Sequence, residues 1–193
     1  MRNTNKYTFL TICLISLLCI HCKSKRKTFY FQSIGWRVTV PAYMHIEDSA
    51  TIYNPKQPGI NNRNYFSAPE KTLLQVTDTG GWRLNGSSLI ASIKPMEKEK
   101  SWDEILQFTR SEYAGIYNRD YLPKIKVDTV FSRESIDGKL FDKSYLKFTG
   151  PNWTQNIFIY SRLINGYEFH CVLSYPDSIK GKQFIDIFKK SSF

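Results

Sequence analysis

Cysteine is scarce and unevenly placed in this chain of 193 residues. Of four, Cys13, Cys19 and Cys22 fall within the first 22 residues, and Cys171 stands alone beyond them. The rest of the chain therefore cannot close an internal disulfide, and its core must hold without a crosslink. Histidine is nearly as rare: three in all, of which His45 and His170 lie beyond residue 22. Two imidazoles and one thiol are too few for a zinc site of Cys and His, and no local spacing suggests a mixed His–carboxylate site. There is no Gly-x-Ser-x-Gly elbow and no phosphate-cradling Gly-x-x-x-x-Gly-Lys. Only one apolar run approaches the ~20 residues of a spanning helix, which excludes a polytopic membrane protein. No internal repeat or low-complexity linker follows residue 28. What is present is 41% hydrophobic, 23% charged and 15% aromatic, the composition of a globular chain with one ordinary domain or two small ones. Full disorder is excluded.

The front of the chain reads as an address. Arg2 and Lys6 precede a mostly apolar stretch, Tyr7 to Ile20, which is followed by His21, Cys22 and the basic run Lys23-Ser24-Lys25-Arg26-Lys27. A charged segment followed by an apolar segment of this length makes a secretory signal. It resembles bacterial lipoprotein signal peptides, which are cut before a cysteine that then carries lipid. Residues 1–21 are then the signal peptide, Cys22 the lipidated residue, 22–33 a basic tether and 34–193 the domain. Cys19 stands three before Cys22, and His21 departs from the small residue usual just before the acceptor. A signal anchor that stays uncut is the alternative. Of the formal charge of +10, Arg2, Lys6, Lys23, Lys25, Arg26 and Lys27 carry six, leaving +4 for residues 28–193. A polybasic stretch beside an acyl anchor attracts anionic headgroups. The remaining charge is dispersed, which argues against nucleic-acid binding.

Beyond the tether, Trp36, Val38 and Val40 alternate with polar residues up to Pro41, a strand that proline ends. Residues 54–69 hold Pro55, Pro58, Gly59, Asn61, Asn62, Asn64 and Pro69, which is loop chemistry. Leu73–Val76 and Ser88–Ile93 read as two strands. Ser101-Trp102-Asp103-Glu104 is a capping box, and Trp102, Ile105, Leu106, Thr109, Tyr113, Ile116 and Tyr117 then form one helical stripe. After Pro123 the period becomes two. Asp137-Gly138 and Asn165-Gly166 are hairpin turns, Gly150-Pro151-Asn152 is a third turn, and the four strands they join form an antiparallel meander. On the last strand Tyr167, Phe169, Cys171, Leu173 and Tyr175 share the core face, and Glu168, His170, Val172 and Ser174 the other. A buried thiol at Cys171 is inert, not nucleophilic. Pro176-Asp177-Ser178 starts a final helix whose apolar side is Phe184, Ile187 and Phe188.

Few residues invite chemistry. Asp103 and Glu104 are explained by helix capping rather than acid–base catalysis. Asp78-Thr79-Gly80-Gly81 is explained by a turn, and His170 by its place on a sheet face. Aromatic and arginine side chains in a long loop are typical of contact surfaces. Tyr53, Arg63, Tyr65 and Phe66, in and beside the Asn- and Pro-rich segment, are therefore the candidate binding residues. An ordinary solvated loop pinned by its aromatics is the other reading.

The element order, with Trp36-Arg37-Val38-Thr39-Val40-Pro41 near the start and Phe184 to Phe193 at the end, resembles the PsbP-like fold over residues 34–193. That group includes the oxygen-evolving accessory subunit, a Ran-binding import factor and many small bacterial envelope lipoproteins. The resemblance implies an α+β fold: an antiparallel sheet with a C-terminal four-stranded meander, flanked by helices as an α/β/α sandwich. It brings no shared catalytic set, cofactor or metal, and fold does not imply function. The expectation is a non-enzymatic, lipid-anchored accessory protein of the cell envelope that binds another envelope component. Lys23 after Cys22 is not the aspartate of inner-membrane retention, so the expected location is the outer membrane, facing the periplasm. A toxin-neutralising immunity-type protein and a small envelope hydrolase are the alternatives.

Overall fold

The structure is a computed structural model that describes residues 26–47, 71–78, 86–116, 125–176 and 178–193. Its strands are β1 (Arg26–Phe31), β2 (Trp36–Pro41), β3 (His45–Glu47), β4 (Lys71–Thr77), β5 (Ser88–Pro95), β6 (Lys126–Ile136), β7 (Lys139–Thr149), β8 (Thr154–Ile164) and β9 (Tyr167–Tyr175). Its helices are α1 (Trp102–Ile116), between β5 and β6, and α2 (Ser178–Lys189), after β9. Seven strands form one antiparallel sheet in the order β3-β4-β5-β9-β8-β7-β6, and β1 and β2 form a separate hairpin. The last four strands are the expected meander. It joins the first half of the sheet through β9, which pairs with β5 from Ser88↔Ser174 to Pro95↔Tyr167.

The turns set the registers. Asp137 and Gly138 have φ of 50° and 70°, and Asn165 and Gly166 have 51° and 79°, the left-handed pair that a two-residue type I′ turn requires. Each turn puts fixed partners opposite one another: Arg133↔Asp142 and Glu134↔Phe141 across the first, Ser161↔His170 and Leu163↔Glu168 across the second.

One face of the sheet carries the main core. Phe169, Cys171, Leu173, Phe141 and Tyr160 from the sheet meet Phe184, Ile187 and Phe188 from α2 and Trp36, Val38 and Val40 from β2. Trp36 is fully buried at the centre, with ring centroids 5.2 Å from Phe31, 5.4 Å from Phe169 and 6.1 Å from Phe193. Its indole N–H donates to Ser191 Oγ at 2.8 Å, which satisfies the polar atom that such burial would otherwise strand. Arg37 and Ser192 exchange backbone hydrogen bonds at 2.8 and 2.9 Å, so the C-terminal segment pairs with β2. Helix α1 is tied to the opposite face. The Trp102 indole and the guanidinium groups of Arg110 and Arg133 all donate to the Asp142 carboxylate, at 3.3, 3.4 and 3.2 Å. Leu146, Phe148 and Ile159 form a second, smaller core there. The result is a sheet between two helices.

The expected capping box is present in both directions: Ser101 N–H donates to Glu104 Oε2 at 2.7 Å, and Glu104 N–H donates to Ser101 Oγ at 3.3 Å. Of the helical stripe, Ile105 and Leu106 are buried, while the side chains of Tyr113, Ile116 and Tyr117 lie outside the described residues. Two elements are additions to the sequence reading. Arg26–Phe31, within the segment read as tether, is a strand that pairs with β2 from Arg26↔Pro41 to Phe31↔Trp36. His45–Glu47 is a short edge strand on β4.

Candidate functional site

Cys22, Tyr53, Arg63, Tyr65 and Phe66 all lie outside the described residues. The described part holds three other places where polar groups converge.

The first is a buried polar strip on the α1 side of the sheet. His170 projects from β9 directly opposite Ser161 of β8, and Ser161 Oγ lies 2.9 Å from His170 Nδ1. The other ring nitrogen is 3.8 Å from Glu168 Oε2. Glu168 faces Lys94 of β5, with Nζ 3.8 Å from Oε1, and Lys94 also bonds Glu97 at 3.1 Å. Glu97 in turn pairs with Lys100 at 2.7 Å. Serine, imidazole and carboxylate in this order have the components of a nucleophile–base relay. Two features argue against that use. Ser161 and His170 are only 5% and 9% exposed, and 3.8 Å is an ion-pair distance rather than a hydrogen bond that would orient the ring. As it stands, the strip compensates buried charge, which burial requires whenever carboxylates leave water. Among the described residues no group of three His, Cys, Asp or Glu side chains could hold a metal ion.

The second is centred on Glu134 of β6, on the α2 side. Its carboxylate accepts from Lys143 Nζ at 2.9 Å and from the Tyr160 hydroxyl at 3.0 Å, and it is in contact with Lys189 of α2. Burial pushes the carboxyl up, but the two ammonium groups and the phenol outweigh it and hold it down at about 2. Burial, with the Glu134 charge beside it, holds the Tyr160 phenol far above its ordinary value. Burial alone raises Cys171 well above a normal thiol, so it is protonated at neutral pH, as its core-facing position implies. These groups fasten α2 to the sheet.

The third is a pair of surface clefts at opposite ends of the β1–β2 hairpin. A cleft of about 450 Å³ opens between the β1 start and α2, lined by Arg26, Pro41, Tyr43, Asp186, Ile187 and Lys190 among others. A smaller one of about 290 Å³ lies beside the hairpin turns, lined by Gly35, Lys139, Arg162, Asn165 and Phe193 among others. The sequence reading missed the larger cleft because its walls are separated by some 150 residues. The only local signal was the basic run that ends in Arg26 and Lys27.

An antiparallel seven-stranded sheet between two helices, with a separate N-terminal hairpin packed beside the C-terminal helix, defines the PsbP-like fold, and this chain has that fold. Cyanobacterial PsbP (CyanoP) from Synechocystis sp. PCC 6803 superposes on it with a TM-score of 0.56, covering 87% of this chain and 92% of CyanoP at 10% identity. LpqN, described as involved in cell envelope biogenesis of Mycobacterium tuberculosis, superposes with a TM-score of 0.50 over 87% of this chain and 90% of LpqN, also at 10% identity. No family model and no curated protein matches the sequence. At such identity the likeness is one of fold. Among the described residues no helix is long and apolar enough to cross a membrane.

Proposed function

We propose that this chain is a lipid-anchored accessory protein of the bacterial cell envelope, fixed at Cys22, whose PsbP-like domain binds another envelope component without catalysing a reaction. The observation that carries the reading is the order of parts along the chain. A charged and then apolar leader runs into Cys22, and a folded strand begins at Arg26, four residues later. The only other thiol beyond the leader, Cys171, is buried, as suits an exported domain that does not depend on disulfides. LpqN, with the same fold, is described as involved in cell envelope biogenesis, which supports a role at the envelope. On this reading the domain faces the periplasm from the outer membrane, and Tyr53, Arg63, Tyr65 and Phe66 are the first residues to vary in a search for the protein partner.

The test is Cys22→Ser in cells fed labelled palmitate. Loss of label together with release from the membrane fraction is the expected result; retained membrane association without label would mean an uncut signal anchor. A small envelope hydrolase is the second reading, favoured by the Ser161–His170 contact alone. Hydrolysis of ester substrates that disappears in Ser161→Ala would establish it.

A further inference from the structure

The larger cleft lies at the end of the domain where the chain enters it. Arg26 is both the first residue of β1 and part of the cleft wall. Four residue steps separate it from Cys22, and a fully extended chain advances at most about 3.6 Å per residue. The cleft wall at Arg26 is therefore within about 14 Å of the acylated residue, whatever path Lys23, Ser24 and Lys25 take. The headgroup layer is itself several ångströms thick, because the polar regions add about 10–15 Å in total to a ~30 Å hydrocarbon core. A lipid on Cys22 thus brings this end of the molecule to the membrane surface. The hairpin turns at Gly138 and Gly166, with the smaller cleft, lie at the other end.

The chemistry of the cleft suits that position. Arg26 and Lys190 supply two exposed cations at its walls. Asp186, 45% exposed, is the carboxylate in the wall, 3.4 Å from the 77% exposed Lys190, so water screens the attraction and leaves the ammonium able to take a second anion. Ile187, 8% exposed, gives an apolar floor, and Tyr43, 66% exposed, stands beside it. Tyrosine with an apolar ring and a polar tip is enriched at membrane–water interfaces. Two cations, an aromatic ring and an apolar floor form a seat for a phosphate with a glycerol backbone behind it.

We infer that this cleft binds the phosphate headgroup of an anionic phospholipid in the membrane that holds Cys22, and so fixes the orientation of the domain. The inference rests on the lipid-anchor reading and adds a site to it. Docking at this end leaves the opposite end of the sheet turned away from the bilayer, free for a partner.

The experiment uses the full chain, purified from membranes and reconstituted into phosphatidylcholine vesicles with or without about 30% phosphatidylglycerol. An environment-sensitive fluorophore is placed on Gln183→Cys, in the cleft wall, or on Lys139→Cys, at the far end. Buried Cys171 does not compete for the label. The expected result is a blue shift at position 183, not at 139, that needs phosphatidylglycerol and fades with salt. Arg26→Glu with Lys190→Glu should raise the phosphatidylglycerol needed for half the shift by about tenfold or more. Both side chains are exposed, so an unchanged melting temperature verifies the fold. Equal responses at the two positions, or a shift that survives both charge reversals, would overturn the inference. So would a shift reproduced on neutral vesicles by millimolar glycerol phosphate, which would make the cleft a site for soluble phosphate. The intact mass of the same preparation reports acylation separately. An unmodified Cys22 overturns the anchor and the reach argument built on it; an acylated chain without the position-183 shift overturns the cleft alone.

Discussion

Glu134 shows how one side chain joins a helix to a sheet. Its carboxyl is held at about 2, against about 4.5 for an ordinary glutamate, so the folded state binds its proton less readily than the unfolded state. The stability this contributes is fully present above pH 4.5 and is lost as pH falls toward 2. Glu134→Gln should lower the melting temperature at pH 7. It should also flatten the fall in melting temperature between pH 4.5 and 2, as read by circular dichroism across that range. Gly181 makes a different kind of contact. A Cβ there would lie 2.2 Å from the ring of Tyr175, because the first turns of α2 rest on that ring. Gly181→Ala should therefore destabilise the domain, by about 1–3 kcal/mol as for other overpacked sites, although alanine is the better helix former. Urea unfolding would show it as a lower midpoint with an unchanged slope. Cys171 should stay unlabelled by maleimide in the folded protein and react fully once unfolded.

At the scale of elements, α1 depends on its ends and on one carboxylate. Ser101→Ala removes one side of the capping box and should cost about 1 kcal/mol. Asp142→Ala has a larger expected effect, because it frees Trp102, Arg110 and Arg133 together. Hydrogen exchange should then speed up along α1 while the β8–β9 amides keep their protection, since β8 and β9 hold each other through an independent ladder. Much of this level was legible in the sequence. A two-residue hairpin turn fixes which residues face each other, so Asn165-Gly166 already places Ser161 opposite His170, and Asp137-Gly138 places Arg133 opposite Asp142. The polar strip could have been found from those registers. Strand β3 could not, because three residues carry no detectable period. Strand β1 was hidden for another reason: its basic start, Arg26 and Lys27, reads as the continuation of a polybasic tether.

At the scale of the molecule, the hairpin, α2 and the C-terminal segment behave as one unit around Trp36. Trp36→Ala removes the ring that Phe31, Phe169, Phe188 and Phe193 all meet, together with the N–H that Ser191 Oγ accepts, so a loss of about 3–5 kcal/mol is expected. Thermal unfolding should lose hairpin and sheet signals together, since they share this core.

The sequence by itself determined the four-stranded meander, both helices and the inward faces of β2 and β9. All of these depend on neighbours a few residues apart, through side-chain period, turn dihedrals and end caps. Only the tertiary structure decided that β9 docks on β5, that Asp142 gathers three donors, and that Arg26 and Lys190 line one cleft. Those contacts join segments scores of residues apart. What selects them is the burial of shared apolar surface, and no local pattern records its partner.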